Sequence, residues 1–107
     1  MAVASVASGS LTTTSSEQDL STQSSANVWV LAVDTANMVN GDEIVIRIYG
    51  KARTSDTERL LYVSRFAHVQ SDPLKLSPPV PTPHHFRATL QRIAGTDRAY
   101  PWELRSL

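Results

Sequence analysis

The stretch 42-DEIVIRIYGKA-52, followed after the polar turn RTSDT by 58-ERLLYVSRFA-67, decides the fold class. In the first run Ile44, Ile46 and Ile48 share one side of an extended chain, and Val45, Arg47 and Tyr49 share the other. Alternation of period two is the mark of a strand with one buried face, because successive side chains of a strand point in opposite directions. Two such runs separated by a short polar turn predict an antiparallel hairpin over residues 43–67.

Working outward, 27-NVWVLAVD-34 is apolar on both of its faces, which predicts a strand inside a sheet rather than at its edge. Asp34 is placed to cap the short turn Thr35 to Met38, which ends at Asn40-Gly41. Downstream, 84-HHFRATLQRI-93 alternates again, with Phe86, Ala88 and Leu90 inward and His85, Arg87, Thr89 and Gln91 outward. AGTDR reads as a turn, and 99-AYPWELRSL-107 returns with Tyr100, Trp102 and Leu104 on one face, so these segments predict a second hairpin. Pro101 lacks a backbone donor, which predicts an edge position for the last strand. No segment carries a helical apolar period. The pattern predicts an all-β fold: an antiparallel β-sandwich of jelly-roll or immunoglobulin-like type.

Two segments depart from this texture. Residues 1–26 contain twelve Ser or Thr and little to bury, which predicts an extended N-terminal arm ahead of a β-sandwich domain over 27–107. Within the arm SLTTTS and QDLSTQ are β-compatible and could add one or two strands. The second segment, Ser71 to Pro83, holds five of the six prolines and is excluded as a helix or a central strand. Its core, 75-KLSPPVP-81, has the K-x-x-P-x-x-P spacing of a polyproline ligand for SH3 domains. Its place between two strand pairs favours a stiff crossing of the sandwich instead.

With 107 residues the chain can bury roughly two thirds of its unfolded surface, enough to fold without a staple. It has no cysteine, which excludes a disulfide framework, a thiolate metal site and a cysteine nucleophile together. Its longest apolar run, Val28 to Val33, is too short to span a membrane, and the first residues lack the basic start of a signal peptide; a soluble protein is expected. The formal charge is zero but divided: residues 1–46 hold five acids and no Lys or Arg, whereas residues 47–107 hold ten Lys or Arg against five acids. An acidic front is therefore expected to dock on a basic body, in its own chain or a neighbour's. Neutrality argues against nucleic acid, whose phosphates call for a basic excess.

Chemistry is thinly represented. His84 and His85 are adjacent, so a strand sends them to opposite faces and away from a shared metal, even with His68 nearby. Asp34, Asp42 and Glu43 lack the alternating oxygen ligands of a calcium loop, and turn and cap roles account for the two aspartates. There is no G-x-S-x-G elbow, Walker A loop or G-x-G-x-x-G turn, so no cofactor and no catalytic residue is assigned and small-molecule ligands are not expected. Trp29, Tyr49, Tyr62, Tyr100 and Trp102 could form a sugar-stacking platform, although strand aromatics more often fill a core.

The run NGDEIVIRIYGKARTSDTERLLYVSRFAHVQSDP, then KLSPPVPTPHH and AGTDRAYPWELRSL, covers Asn40 to Leu107. It resembles small β-rich structural proteins encoded beside the head and tail genes of tailed bacteriophages, of the capsid decoration or cement type. The resemblance lies in strand and turn punctuation and carries over no binding residue. It implies a non-enzymatic virion protein that braces neighbouring capsomers, with the major capsid protein and further copies of itself as partners. The alternative is a carbohydrate- or receptor-binding jelly roll on a tail appendage. The expected contact residues are Leu11, Glu17, Asp19 and Leu20 on the arm, with Arg87, Arg92, Arg98 and Arg105 as cationic partners. Binding by the arm would use backbone pairing to exposed strand edges.

Overall fold

A computed structural model describes residues 3–107. The first two residues of the expected arm lie outside that range. Nine strands account for the described fold: β1 (Ala4–Thr12), β2 (Gln18–Gln23), β3 (Asn27–Asp34), β4 (Glu43–Gly50), β5 (Arg59–Ala67), β6 (Leu74–Leu76), β7 (Val80–Thr82), β8 (Phe86–Ala94) and β9 (Ala99–Ser106). They form two antiparallel sheets packed as a sandwich. The first runs β1-β9-β3-β6, with β7 also paired to β3; the second runs β2-β8-β4-β5.

The hairpin of β4 and β5 is as the alternation predicts, in register from Glu43 opposite Ala67 to Gly50 opposite Arg59, with a bulge after Ile48. Ile44, Ile46 and Ile48 turn into the core, where Trp29, Leu31 and Val33 of β3 meet Phe86, Ala88 and Leu90 of β8. The Trp29 and Phe86 rings are tilted at 5.7 Å between centroids. The Trp29 indole N–H donates to Thr82 Oγ1 at 2.8 Å, so the largest core side chain leaves no polar atom unpaired. β3 is interior as expected, with β9 on one side and β6 and β7 on the other. Asp34 caps its turn, accepting from Ala36 N–H at 3.0 Å.

The second predicted hairpin does not form. β8 pairs with β2 and β4, whereas β9 pairs with β1 and β3 in the opposite sheet. Both strands have one apolar face. A hairpin would lay those faces side by side, and the connection at 95–98 instead carries the chain across the sandwich so that they face each other through the core. Gly95 makes that passage at φ +87°, in the left-handed region that favours glycine. The edge position inferred from Pro101 is overturned for the same reason, since β9 lies between β1 and β3. Pro101 is tolerated because the β3 ladder reaches only Trp102, opposite Val33.

The Ser/Thr-rich segment is built into both sheets instead of reaching outward. β1 lies along β9 and β2 along β8, each as an outermost strand. Gly9 lies beside the Trp102 indole, where an added Cβ would make ordinary contact at 3.4 Å from the ring nitrogen. Leu20 enters the core and Thr13 is fully buried, with its N–H donating to Arg98 O at 3.0 Å.

The proline segment crosses from β5 in one sheet to the other and returns to β8. It also contributes two short strands, split at Ser77-Pro78-Pro79 and paired with opposite halves of β3. Ser77 spans the gap, its N–H donating to Leu31 O at 2.8 Å and its hydroxyl accepting from Leu31 N–H at 2.9 Å. Pro78 and Pro81 are exposed, but the backbone of Val80–Thr82 is paired with Asn27–Trp29. The polyproline spacing is therefore tied down as a strand, and Lys75 lies over the Phe66 ring at 5.0 Å.

Candidate functional site

Each sheet ends in a free strand on either side, so the sandwich has two lateral sides: one bounded by β1 and β2, the other by β5 and β6. They differ in chemistry. On the β5 side Leu60, Leu61 and Val63 are each about half exposed, as are Leu74 and Leu76 on β6. Arg59 and Arg65 flank the apolar run on β5, and Tyr62 and Phe66 turn inward against the core. Between β5 and β6 a small, partly open gap of about 10 Å³ is lined by apolar side chains of β3, β4, β5 and β6 together with Lys75 and Ser77. On the opposite side β1 carries no charge at all, and β2 carries Asp19 with Glu17 just before it.

The expected acid-base docking takes place largely within the chain. Asp19 accepts from Arg87 Nη1 at 2.7 Å, the one pair among the expected contacts that the fold brings together. Arg87 also forks onto Glu58, with Nη2 at 2.7 Å from Oε1, and its guanidinium lies 4.3 Å above the Tyr49 ring. His85 Nε2 meets the same carboxylate at 2.6 Å. Hydrogen bonds from Arg87, opposed by partial burial and helped by His85, bring the Glu58 carboxyl down to about 2.

Beside this cluster Glu17 accepts from the Tyr49 hydroxyl at 2.6 Å and from the Thr89 hydroxyl, with Arg47 at 3.7 Å. Burial raises the Glu17 carboxyl, but the Thr89 and Tyr49 hydroxyls and the two arginine charges hold it below its ordinary value. The outer face of the β2-β8-β4-β5 sheet is thus a connected polar layer. No sequence signal linked Glu58 to Arg87, because the two lie 29 residues apart and meet only when the β4–β5 connection folds back over β8.

The remaining expected residues are spent elsewhere. Leu11 packs against the core and Leu20 is part of it. Arg92 pairs with Asp97 at 2.6 Å, and Arg105 pairs with Glu103 on its own strand at 2.6 Å. Arg98 reaches Asp42, which is almost fully buried and joins three segments. Its carboxylate accepts from Val39 N–H at 3.0 Å, from Thr96 N–H at 3.1 Å and from Arg98 Nε. Burial pushes this carboxyl up, and those three donors together with the Arg98 charge bring it below the ordinary range.

The aromatic residues considered for sugar stacking are mostly interior. Trp29 and Tyr100 are 1% and 0% exposed, and Tyr49 is already covered by Arg87. A shallow groove of about 210 Å³ is lined by Ala32, Asp34, Leu74, Pro101, Trp102 and the Glu103–Arg105 pair. It is smaller than a typical small-molecule site; Glu103 and Arg105 pair with each other and Asp34 accepts from Ala36 N–H. His68 Nδ1 accepts from Gly41 N–H at 3.0 Å, so the three histidines do not converge. Among the described residues no group of three or more His, Cys, Asp or Glu is arranged to hold a metal ion. No protein-family model, curated protein or solved structure matches this chain.

Proposed function

We propose that this protein is a non-enzymatic assembly component of a virion, of the capsid decoration or cement type, that braces neighbouring shell subunits. The strand order supports a jelly-roll reading, in which β1 pairs with β9, β2 with β8, β3 with β6 and β7, and β4 with β5, as a hairpin rolled around the core would arrange them. The observation that carries the functional reading is the β5 edge. This nine-residue outermost strand has no proline and exposes Leu60, Leu61 and Val63; the bulge at Leu61 and the flanking Arg59 and Arg65 blunt it only in part, which leaves a template for pairing with another chain. β5 adds a further open edge to those of β1 and β2, the strands of the N-terminal segment, each of which is paired on one side only.

The test is mass spectrometry of purified particles together with a binding assay on shells that lack the protein. The wild-type chain should bind, and Leu61→Lys/Val63→Lys should reduce occupancy at least tenfold while remaining folded. Absence of the protein from particles, or normal binding by the double variant, would overturn the reading. A carbohydrate-binding role is favoured by no exposed aromatic platform, and a glycan array with wild-type protein checks it directly.

A further inference from the structure

We infer that copies of this chain associate head to tail, with β5 of one copy pairing antiparallel with β2 of the next. The inference deepens the assembly reading by naming a partner surface for β5. Its first support is parity. Each sheet has four strand positions and every neighbouring pair is antiparallel, so β2 and β5, at opposite ends of one sheet, run in opposite directions. A second copy displaced sideways therefore presents β2 antiparallel to β5 without being turned over, and continues the sheet in its native alternation. The same displacement brings β1 antiparallel to β6, so both layers can continue together.

Charge and face agree with this seam. β5 carries Arg59 and Arg65 and no acid, whereas β2 carries Asp19 and no cation. Arg65 pairs with Glu43 at 3.2 Å and Asp19 with Arg87 at 2.7 Å in the same chain, so it is the net charge of each edge, not a new ion pair, that favours the seam. With β2 keeping the bulge at Leu20 that it shows against β8, placing Asp19 opposite Arg65 puts exposed Thr22 opposite Val63 on the outer face. Ser21 and Gln23, which lie beside core residues Ala88 and Phe86, then fall opposite Ser64 and Tyr62 on the inner face. Apolar and polar sides stay aligned, as a one-residue slip would not allow. Pairing β5 with β5 of a second copy would instead gather four arginines at one seam.

The other layer contributes less. Exposed Pro78 and Pro81 interrupt the outer edge of β6 and β7, which leaves the β5–β2 seam as the main contact. Because the two surfaces are different, the contact is heterologous and generates rings or filaments rather than a closed dimer.

The experiment measures mass in solution by analytical ultracentrifugation over a wide range of concentration. Wild-type weight-average mass should rise past twice the monomer, and fall as salt screens the seam. Asp19→Lys/Thr22→Lys, at the two exposed residues of β2, blocks the β2 side and Leu61→Lys/Val63→Lys blocks the β5 side. Each variant alone should be monomeric, and an equimolar mixture should form a one-to-one heterodimer that grows no further, since each retains one intact surface. Circular dichroism confirms that both variants fold, and the wild-type measurement stands without them. A wild-type chain that stays monomeric throughout, stops at a dimer, or yields variants that do not combine overturns the inference. Presence in particles with a strictly monomeric free protein would sink the head-to-tail seam and leave the virion reading intact; growth in solution with absence from particles would do the reverse.

Discussion

Asp42 and Glu58 are both carboxylates held below their ordinary range by arginine, yet they do different work. Asp42 is nearly inaccessible and takes donors from the turn before β4 and from the connection between β8 and β9; its own carbonyl accepts from His68 N–H at 2.8 Å. It therefore fixes the relative position of segments that cross between the sheets. Glu58 keeps about a quarter of its side chain exposed and ties Arg87 and His85 on the surface of one sheet. The comparison teaches that in a sandwich the costly buried charge is placed where the chain changes sheets, whereas the solvated network decorates a face that strand pairing already holds. A buried carboxylate that accepts three hydrogen bonds cannot lose a partner cheaply. A partly exposed one can turn to water.

The sharpest way to break this contrast is Asp42→Ala, which strands the Arg98 guanidinium and frees two backbone N–H groups. It should cost about 3–5 kcal/mol in urea unfolding, as removal of one partner from a buried pair does. Gly95→Ala comes next. A Cβ there meets Asp42 Oδ1 and lies 2.9 Å from Gly41 O, at a φ of +87° that alanine resists, so a loss of about 2 kcal/mol is expected from the same measurement.

Arg87→Gln should cost only about 1 kcal/mol, the range of solvent-accessible ion pairs, and should change the pH dependence as well. The folded Glu58 carboxyl titrates near 2 against an ordinary 4.5, so its contribution to stability is present above about 4.5 and is lost as pH falls towards 2. Without Arg87 the acid loss over that window should be shallower. An unchanged acid slope would mean that the network is an ornament of the folded state. Smallest of all, Leu61→Lys/Val63→Lys should alter stability by less than about 0.5 kcal/mol, because both side chains face solvent. A larger loss would show that these residues serve the monomer rather than a partner.

How far the fold was legible depended on the range of the interactions involved. β4, β5 and β8 were readable because burial imprints a period-two pattern on each strand by itself, and β3 because an interior strand is apolar on both faces. QDLSTQ was readable as β-compatible, and it forms β2. The pairing of β8 with β9 was misread because a hairpin and a crossing between sheets leave the same local pattern and the same short turn. Deciding between them required Asp42, 54 residues before Thr96, which holds the connection in its crossing form. The charge division was visible, but not its resolution: of the eight expected contact residues only Asp19 and Arg87 meet, since which charges become neighbours depends on strand order.

By itself the sequence determined that this chain is all-β, that Ile44, Ile46, Ile48, Phe86, Ala88 and Leu90 face the core, that the prolines of residues 71–83 lie outside a central strand, and that an acidic front precedes a cation-rich remainder. Those properties follow from side-chain hydrophobicity, backbone restriction and order, and each is local. Tertiary structure alone decided that the Ser/Thr-rich segment lines one side of the sandwich while β5 remains open on the other. Edge and interior positions are set by which strands find each other over long separations, and backbone hydrogen bonding is the same at every position, so no residue type announces the choice.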